Sequence, residues 1–330
     1  MFDHCVIRGK RFAPARFCAP LAGYTHSAFR RLVAELGGCG GFWTEMLAPR
    51  QILKENFAES PWLRRRPEEG FVVFQLMARA GDPLDRILQR MGENGVEAID
   101  LNLACDAMAI RAKEAGSALF ENFAALRRVV TEARRYWPGI LTAKVRLGSR
   151  GPEWQTHFRE RVEFLEAAGV DALIVHPRFF EDKFARRAQH EQVPWVASLT
   201  RLPLVANGDL GFAEQVQAQW PHLQTASAIM IGRMAVARPW VFAAWDNTIA
   251  VDYPQVWRKL FQYVREDFPP EAAVTRIKMF TKYFAANYAF GHAFYHGLAK
   301  AQTLDELSRQ AEEFFSRSPA TVKLPMLSGL

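Results

Sequence analysis

Apolar residues in this chain come in short, nearly unbroken runs separated by longer stretches with a helical period. The runs fall at 17–23, 42–46, 71–77, 98–104, 141–147, 172–178, 203–209 and 228–234. Each is too short for a buried helix and has the length of a strand. Between them, 27–36, 82–94, 122–136 and 153–168 carry apolar residues three and four apart, the stripe of a helix lying on a sheet. A strand that is apolar on both faces belongs inside a parallel sheet covered by helices. Eight such units in a row predict an α/β fold over residues 1–250, a closed (β/α)8 TIM barrel.

Past residue 250 the pattern changes. Segments 256–266, 271–288 and 304–317 read as helices, no strand follows, and Pro269-Pro270 and 287–291 supply the breaks. Residues 251–330 are therefore expected to form a small all-α C-terminal domain, with 316–330 loosely ordered. The tempting Gly37-Gly38-Cys39-Gly40-Gly41 precedes a strand instead of following one. It is expected to stop a helix and turn the chain, not to cradle phosphate.

Composition narrows the picture. A hydrophobic fraction of 49% and an aromatic fraction of 12% describe a folded globular chain. No run approaches the ~18 apolar residues that cross a bilayer, and the N-terminus lacks the order of a secretory signal, so a cytoplasmic location is expected. Cys5, Cys18, Cys39 and Cys105 stand far apart without metal spacing, and His292 and His296, four apart on a segment expected to be helical, lack a third ligand. No metal site and no disulfide framework are expected, and nothing points to more than a monomer. The net charge of +7 favours a polyanionic partner only modestly. Arg30-Arg31, Arg64-Arg65-Arg66, Arg134-Arg135 and Arg186-Arg187 read either as solvated faces or as forks for phosphate oxygens.

In such a barrel the chemistry lies at the C-terminal ends of the strands. Those ends carry Pro20-Leu21-Ala22, Thr44-Glu45-Met46, Gln75, Asn102 with Cys105, Lys144 with Arg146, His176 with Arg178, Asn207-Gly208-Asp209 and Gly232-Arg233. Buried cations there are costly unless an anion meets them. The pairs after the seventh and eighth strands stand where barrels hold a phosphate monoester. Gln75 and Asn102 suit the edge of a planar heterocycle, and Lys144 suits negative charge on an electron-rich ring. A phosphate corner opposite an amide-lined slot fits FMN. Cys105 alone is either a small buried filler or a reactive group.

At these residues the chain resembles the tRNA-dihydrouridine synthase family. The matching pieces are the stretch from Ala19 to Arg30, Thr44-Glu45-Met46, Phe74-Gln75-Leu76, Ile99 to Cys105 with Gly116-Ser117-Ala118-Leu119, Lys144 to Gly148, Val175 to Arg178, Ala206 to Asp209, Ile231-Gly232-Arg233 and Pro239-Trp240. The resemblance implies a barrel that reduces the C5=C6 bond of a uridine in RNA, most of all tRNA, using FMN and NADPH. It implies FMN contacts at Pro20, Leu21, Ala22, Gln75, Lys144, His176, Asn207, Gly208, Asp209, Gly232 and Arg233. It implies substrate contacts at Asn102, Arg146 and Arg178, Cys105 as the acid that protonates C5, and RNA binding by the helical tail.

The family's Asn-x-Gly-Cys-Pro is here Asn102-Leu103-Ala104-Cys105-Asp106. Ala104 requires a backbone without positive φ, and Asp106 places a carboxylate beside the thiol, which opposes thiolate formation. This altered loop leaves two alternatives open. One is an FMN-containing RNA-binding protein with weakened or lost reduction, and the other is an FMN barrel acting on a small molecule.

Overall fold

The computed structural model describes residues 1–182 and 185–327. Among them an antiparallel hairpin, β1 (Cys5–Ile7) and β2 (Lys10–Phe12), precedes eight parallel strands. These are β3 (Arg16–Cys18), β4 (Gly41–Trp43), β5 (Val72–Leu76), β6 (Ala98–Leu103), β7 (Ile140–Arg146), β8 (Ala172–His176), β9 (Leu204–Asn207) and β10 (Ala228–Ile231). They pair in chain order, and β10 closes onto β3. This is the barrel that the eight apolar runs predict. Each strand starts within one residue of its run but ends one to five residues sooner. Ala19 and Leu147 lie beyond the last paired residues and are still buried, so apolarity outlasts pairing there.

The hairpin is too short for the sequence pattern to reveal. Its two-residue turn, Arg8-Gly9, has positive φ at both positions (46° and 77°), the geometry that matches the twist of paired strands. Phe12 packs edge-on against Phe17 and Phe71 at the strand starts, so the hairpin covers the N-terminal end of the barrel. The run of glycines behaves as expected: the helix Ser27–Leu36 ends at Gly37, where φ is 87°.

The helical tail begins where Asp252 accepts a hydrogen bond from the Gln255 N–H at 2.9 Å and caps the helix Tyr253–Asp267. Helices Pro270–Phe284, Gly291–Ala299 and Leu304–Ser316 follow. Their core is aromatic: Phe294 stacks on Phe314 with ring centres 4.4 Å apart, and the Trp257 indole donates to Thr281 at 2.9 Å. The chain after the last helix is held more firmly than its sequence suggests. Ala289 donates to the Ala320 carbonyl at 2.9 Å, Val322 to the Asn287 carbonyl at 2.8 Å, and Arg238 to the Val322 carbonyl at 2.9 Å. Residues 328–330 of that segment lie outside the described residues.

Several of the clustered arginines are neither solvated nor turned toward a ligand. Arg30 is fully buried and donates to Glu69 at 2.6 Å and to the carbonyls of Thr25 and Arg64. Arg64 (2.8 Å), Arg66 and the Ser27 hydroxyl converge on Asp267, whose side chain is wholly inaccessible. Arg134 donates to Asp171 and to the carbonyls of Gly169 and Gly139. Sequence pattern cannot separate such arginines from ligand-binding ones, because their partners lie up to two hundred residues away.

Asp267 ends the first tail helix, and its three partners belong to the barrel, so this buried carboxylate joins the two parts. Replacing it with Asn is expected to lower the unfolding free energy by about 3–5 kcal/mol, since two arginines then lose their counter-charge. Urea unfolding followed by fluorescence checks this, and a loss under about 1 kcal/mol would show that the cluster does not hold the tail.

Candidate functional site

The side chains at the mouth are set by strand register. β5, β6 and β7 pair so that Gln75 lies beside Asp100 and Asp100 beside Thr142. Two residues further on, Asn102 lies beside Lys144, and then Arg146 beside His176. Lateral neighbours in a parallel sheet point to the same face, so these polar residues share the barrel interior. Asp100 accepts from the Thr142 hydroxyl at 2.6 Å and from Gln75 Nε2 at 2.7 Å. Gln75 Oε1 accepts from Asn102 Nδ2 at 2.9 Å. Asn102 Oδ1 accepts from the N–H of Cys105 at 3.0 Å and of Ala104 at 3.2 Å.

The ends of β8, β9 and β10 form a second group. Asp209 takes Arg178 Nη2 on one oxygen at 2.6 Å and Arg233 Nη2 on the other at 3.1 Å. Arg178 Nη1 lies 2.7 Å from His176 Nε2, and because a guanidinium only donates, Nε2 accepts and the ring proton is on Nδ1. Gly208 has φ of 106°, and a Cβ there would stand 2.6 Å from the His176 ring. Asp209 follows with φ of 49°, an unusual conformation that Asp tolerates better than most residues. Asn207 Nδ2 donates to the Met230 carbonyl at 2.8 Å. Arg178, which the resemblance grouped with the substrate contacts, thus stands with Asp209 and His176.

The two groups meet through their charges. Burial pushes Lys144 down to about 8, and Arg146 adds to the shift while Asp100 and Cys105 oppose it. His176 is held well below the usual imidazole range, first by burial and then by Lys144, Arg146, Arg178 and Arg233. Burial acts to raise Asp209, but the Arg178 hydrogen bond, the Ala188 N–H and the two arginine charges hold it below the usual carboxylate range. The mouth therefore brings several cations to close quarters.

Cys105 is partly exposed at the top of β6. Its carbonyl accepts from the Ser117 N–H at 2.9 Å. The neighbouring Asp106 carboxylate accepts from Ser117 Oγ at 2.9 Å and Arg111 Nη1 at 3.0 Å. The charge that the sequence places beside the thiol is thus matched by an arginine. Glu45, after β4, was named among the strand-end residues but given no role. It is buried, accepts from the Gly23 N–H at 2.6 Å, and stands 3.9 Å from Arg276 of the tail. Pro20, Leu21 and Ala22 follow β3 and are partly or fully exposed. Among the described residues no cluster of His, Cys, Asp and Glu could hold a metal ion, and no helix is long and apolar enough to cross a membrane.

Comparison with known proteins places this geometry. The family model described as Dihydrouridine synthase (Dus) matches residues 17–321. The tRNA-dihydrouridine synthase B of Pasteurella multocida is 28% identical over 239 residues, 72% of this chain and 70% of that protein. The protein of the same name from Pseudomonas aeruginosa is 30% identical over 260 residues, 75% of this chain and 76% of its own. Among solved structures, TcOYE with pHBA superposes with a TM-score of 0.52 at 8% identity, over 73% of this chain and 91% of that one. The old yellow enzyme homologue from Zymomonas mobilis gives 0.50 at 13% identity, over 72% and 90%. These two structures share the barrel fold.

Crowded cations have a measurable consequence. Between pH 8 and 10.5 the unfolded chain keeps a proton on Lys144 that the folded chain has lost, so the Lys144 contribution to stability should rise with pH through that window, while the thiols of Cys5, Cys18 and Cys39, pushed up by burial, act the other way above pH 9. Lys144→Met should flatten the rise and stabilise the ligand-free protein at pH 7 by on the order of 3 kcal/mol. Urea unfolding at pH 7 and pH 10 measures both. A difference between wild type and variant that is the same at the two pH values would contradict the assignment.

Proposed function

This chain belongs to the dihydrouridine synthase family, and on that premise we propose that its barrel mouth takes FMN and one uridine of a tRNA, with NADPH as reductant and Cys105 as proton donor. The chain is an oxidoreductase whose reaction is flavin-dependent formation of dihydrouridine in tRNA. The bound flavin supplies the hydride that adds to C6 of the uracil.

The residues fit such a cofactor. Burial first, and then Lys144, Arg146, Arg178 and Arg233, hold His176 well below the usual imidazole range, so several cations stand close together here. A phosphate monoester between Arg233, His176 and the Asn207-Gly208-Asp209 turn would relieve that crowding. At Gly232 an added Cβ would meet only Ala19 and Leu21, at 3.8 and 3.9 Å, so the backbone there can be approached closely. Gln75, Lys144 and the Pro20-Leu21-Ala22 segment are the proposed contacts to the ring end.

For the substrate, Asn102 presents an amide edge and Arg146 a fixed positive charge. As C6 is reduced, negative charge develops on the uracil oxygen and at C5. Arg146 lowers the energy of that charge, and the Cys105 thiol protonates C5. An acid must be protonated when it acts, and the pairing of Asp106 with Arg111 keeps the neighbouring carboxylate in a defined place. The helical tail, joined to the barrel at Asp267, is proposed to carry the body of the tRNA so that one uridine reaches the mouth.

The observation that carries this reading is the meeting of two groups at one barrel end: a cation-rich corner and an amide relay that ends on the cysteine loop. Cys105→Ala should reduce dihydrouridine formation by about 10²–10⁴-fold, the usual worth of a positioned acid, while NADPH still bleaches the flavin at the wild-type rate. Nucleoside mass spectrometry of tRNA treated with each enzyme measures the first, and stopped-flow absorbance the second. Wild-type rates in the variant would remove Cys105 from the chemistry.

A further inference from the structure

The amide relay has a direction, imposed by Asp100 at one end and met by the donor N–H groups of the cysteine loop at the other. Asp100 is fully buried between Gln75 and Thr142 and takes one hydrogen bond on each oxygen. A carboxylate only accepts, so Gln75 must present its NH2 to it. That leaves Gln75 Oε1 as the acceptor for Asn102 Nδ2, and leaves Asn102 Oδ1 to receive the N–H groups of Ala104 and Cys105. Turning both amides over would oppose oxygen to oxygen at the Asp100 end. It would also oppose N–H to N–H at the cysteine loop, so only one arrangement satisfies every contact.

We propose that Asp100 is a positioning residue: its charge fixes the donor–acceptor sense of Gln75 and Asn102 and, through them, holds the Cys105 loop in its working conformation. The reaction itself is the one proposed above, and this inference rests on that reading only for its effect on turnover. An apolar residue would pack a barrel layer as well, and an asparagine would fill the same volume. Neither replaces the carboxylate: an apolar residue leaves Gln75 Nε2 without an acceptor, and a neutral amide oxygen accepts more weakly than a charged one. The carboxylate is retained at a price in burial. Burial pushes Asp100 up to about 6, against the opposing pull of the Thr142 and Gln75 hydrogen bonds and the Lys144 charge. At neutral pH the ionised, accept-only form prevails, and the relay keeps one sense.

The test is amide hydrogen exchange on the flavin-free, RNA-free protein, read at residues 104 and 105. Asp100→Asn should speed exchange there by about tenfold, the worth of one hydrogen bond of ordinary strength. Thr142→Val removes the other partner of Asp100 without reversing any donor, and exchange at 104 and 105 should stay within about twofold of wild type. In the loaded enzyme, Asp100→Asn should lower kcat and leave KM for tRNA unchanged. Exchange unchanged in a folded Asp100→Asn protein would overturn the proposal. Equal acceleration by Thr142→Val would also overturn it, since packing alone would then account for the effect. Should Asp100→Asn fail to fold, Gln75→Met cuts the relay at its next member and must give the same acceleration. Because exchange is measured without cofactor or substrate, failure of the reductase reading would show in the Cys105→Ala turnover and leave this result standing.

Discussion

The pairing of β6 with β7 is the constraint on which the rest of the mouth depends. Along β6, Ile99, Leu101 and Leu103 are buried, alternating with Asp100 and Asn102. Along β7, Leu141, Ala143 and Val145 alternate in the same way with Thr142, Lys144 and Arg146. The apolar sets face the surrounding helices and the polar sets face the interior. A slip of one residue would turn Lys144 and Arg146 into the helix layer and Leu101 into the mouth. Hydrophobic burial on the outer face therefore enforces the register that brings Asp100 to Thr142 and Asn102 to Lys144. The chemistry is positioned by residues that never touch it.

The same mouth shows what is given up for binding. Several cations are brought to one end of the barrel, where burial already works against charge, and their crowding falls on Lys144 and His176. Two carboxylates moderate it from opposite sides. Asp100 lies below Lys144 in the barrel interior, while Asp209 joins Arg178 and Arg233 near the rim. Asp209 does so from a left-handed backbone, a conformation kept because both of its oxygens are held. Sites of this kind are less stable empty than a neutral core would be, and gain when an anion arrives.

How much of this was legible in the sequence follows from the range of the interactions involved. All eight barrel strands were readable, because an apolar run with helical spacing on either side is a local signal. Strand ends were not, since Ala19 and Leu147 stay buried after pairing stops. The polar residues at the strand ends could be named, but their grouping could not. Nothing near Arg178 in the chain says that it shares Asp209 with Arg233. The arginine clusters were the least legible, because Arg30 finds Glu69 and Arg66 finds Asp267 through the fold. The hairpin β1–β2 escaped notice because three-residue strands carry too little pattern to register. Glu45 was legible as a strand-end carboxylate, but its approach to Arg276 of the tail was not.

The cysteine loop shows how a changed motif is held in place. Where the family pattern has glycine before the cysteine and proline after it, this chain has Ala104 and Asp106. A glycine would be needed only if φ were positive, and Ala104 keeps it negative. Proline would have narrowed the loop's freedom from within, and here the restraint comes from both ends. Asn102 binds two successive N–H groups at the start. At the far end Gly116, with φ of 61°, lies so close to the Cys105 carbonyl that a Cβ would stand 2.4 Å from it, and Ser117 bonds that same carbonyl. Asp106 contributes as well, since its carboxylate gathers Ser117 and Arg111 into one cluster. A residue that looked like a liability for the thiol is part of what holds the loop, and the rigidity that proline gives through one dihedral is here supplied by a closed set of hydrogen bonds.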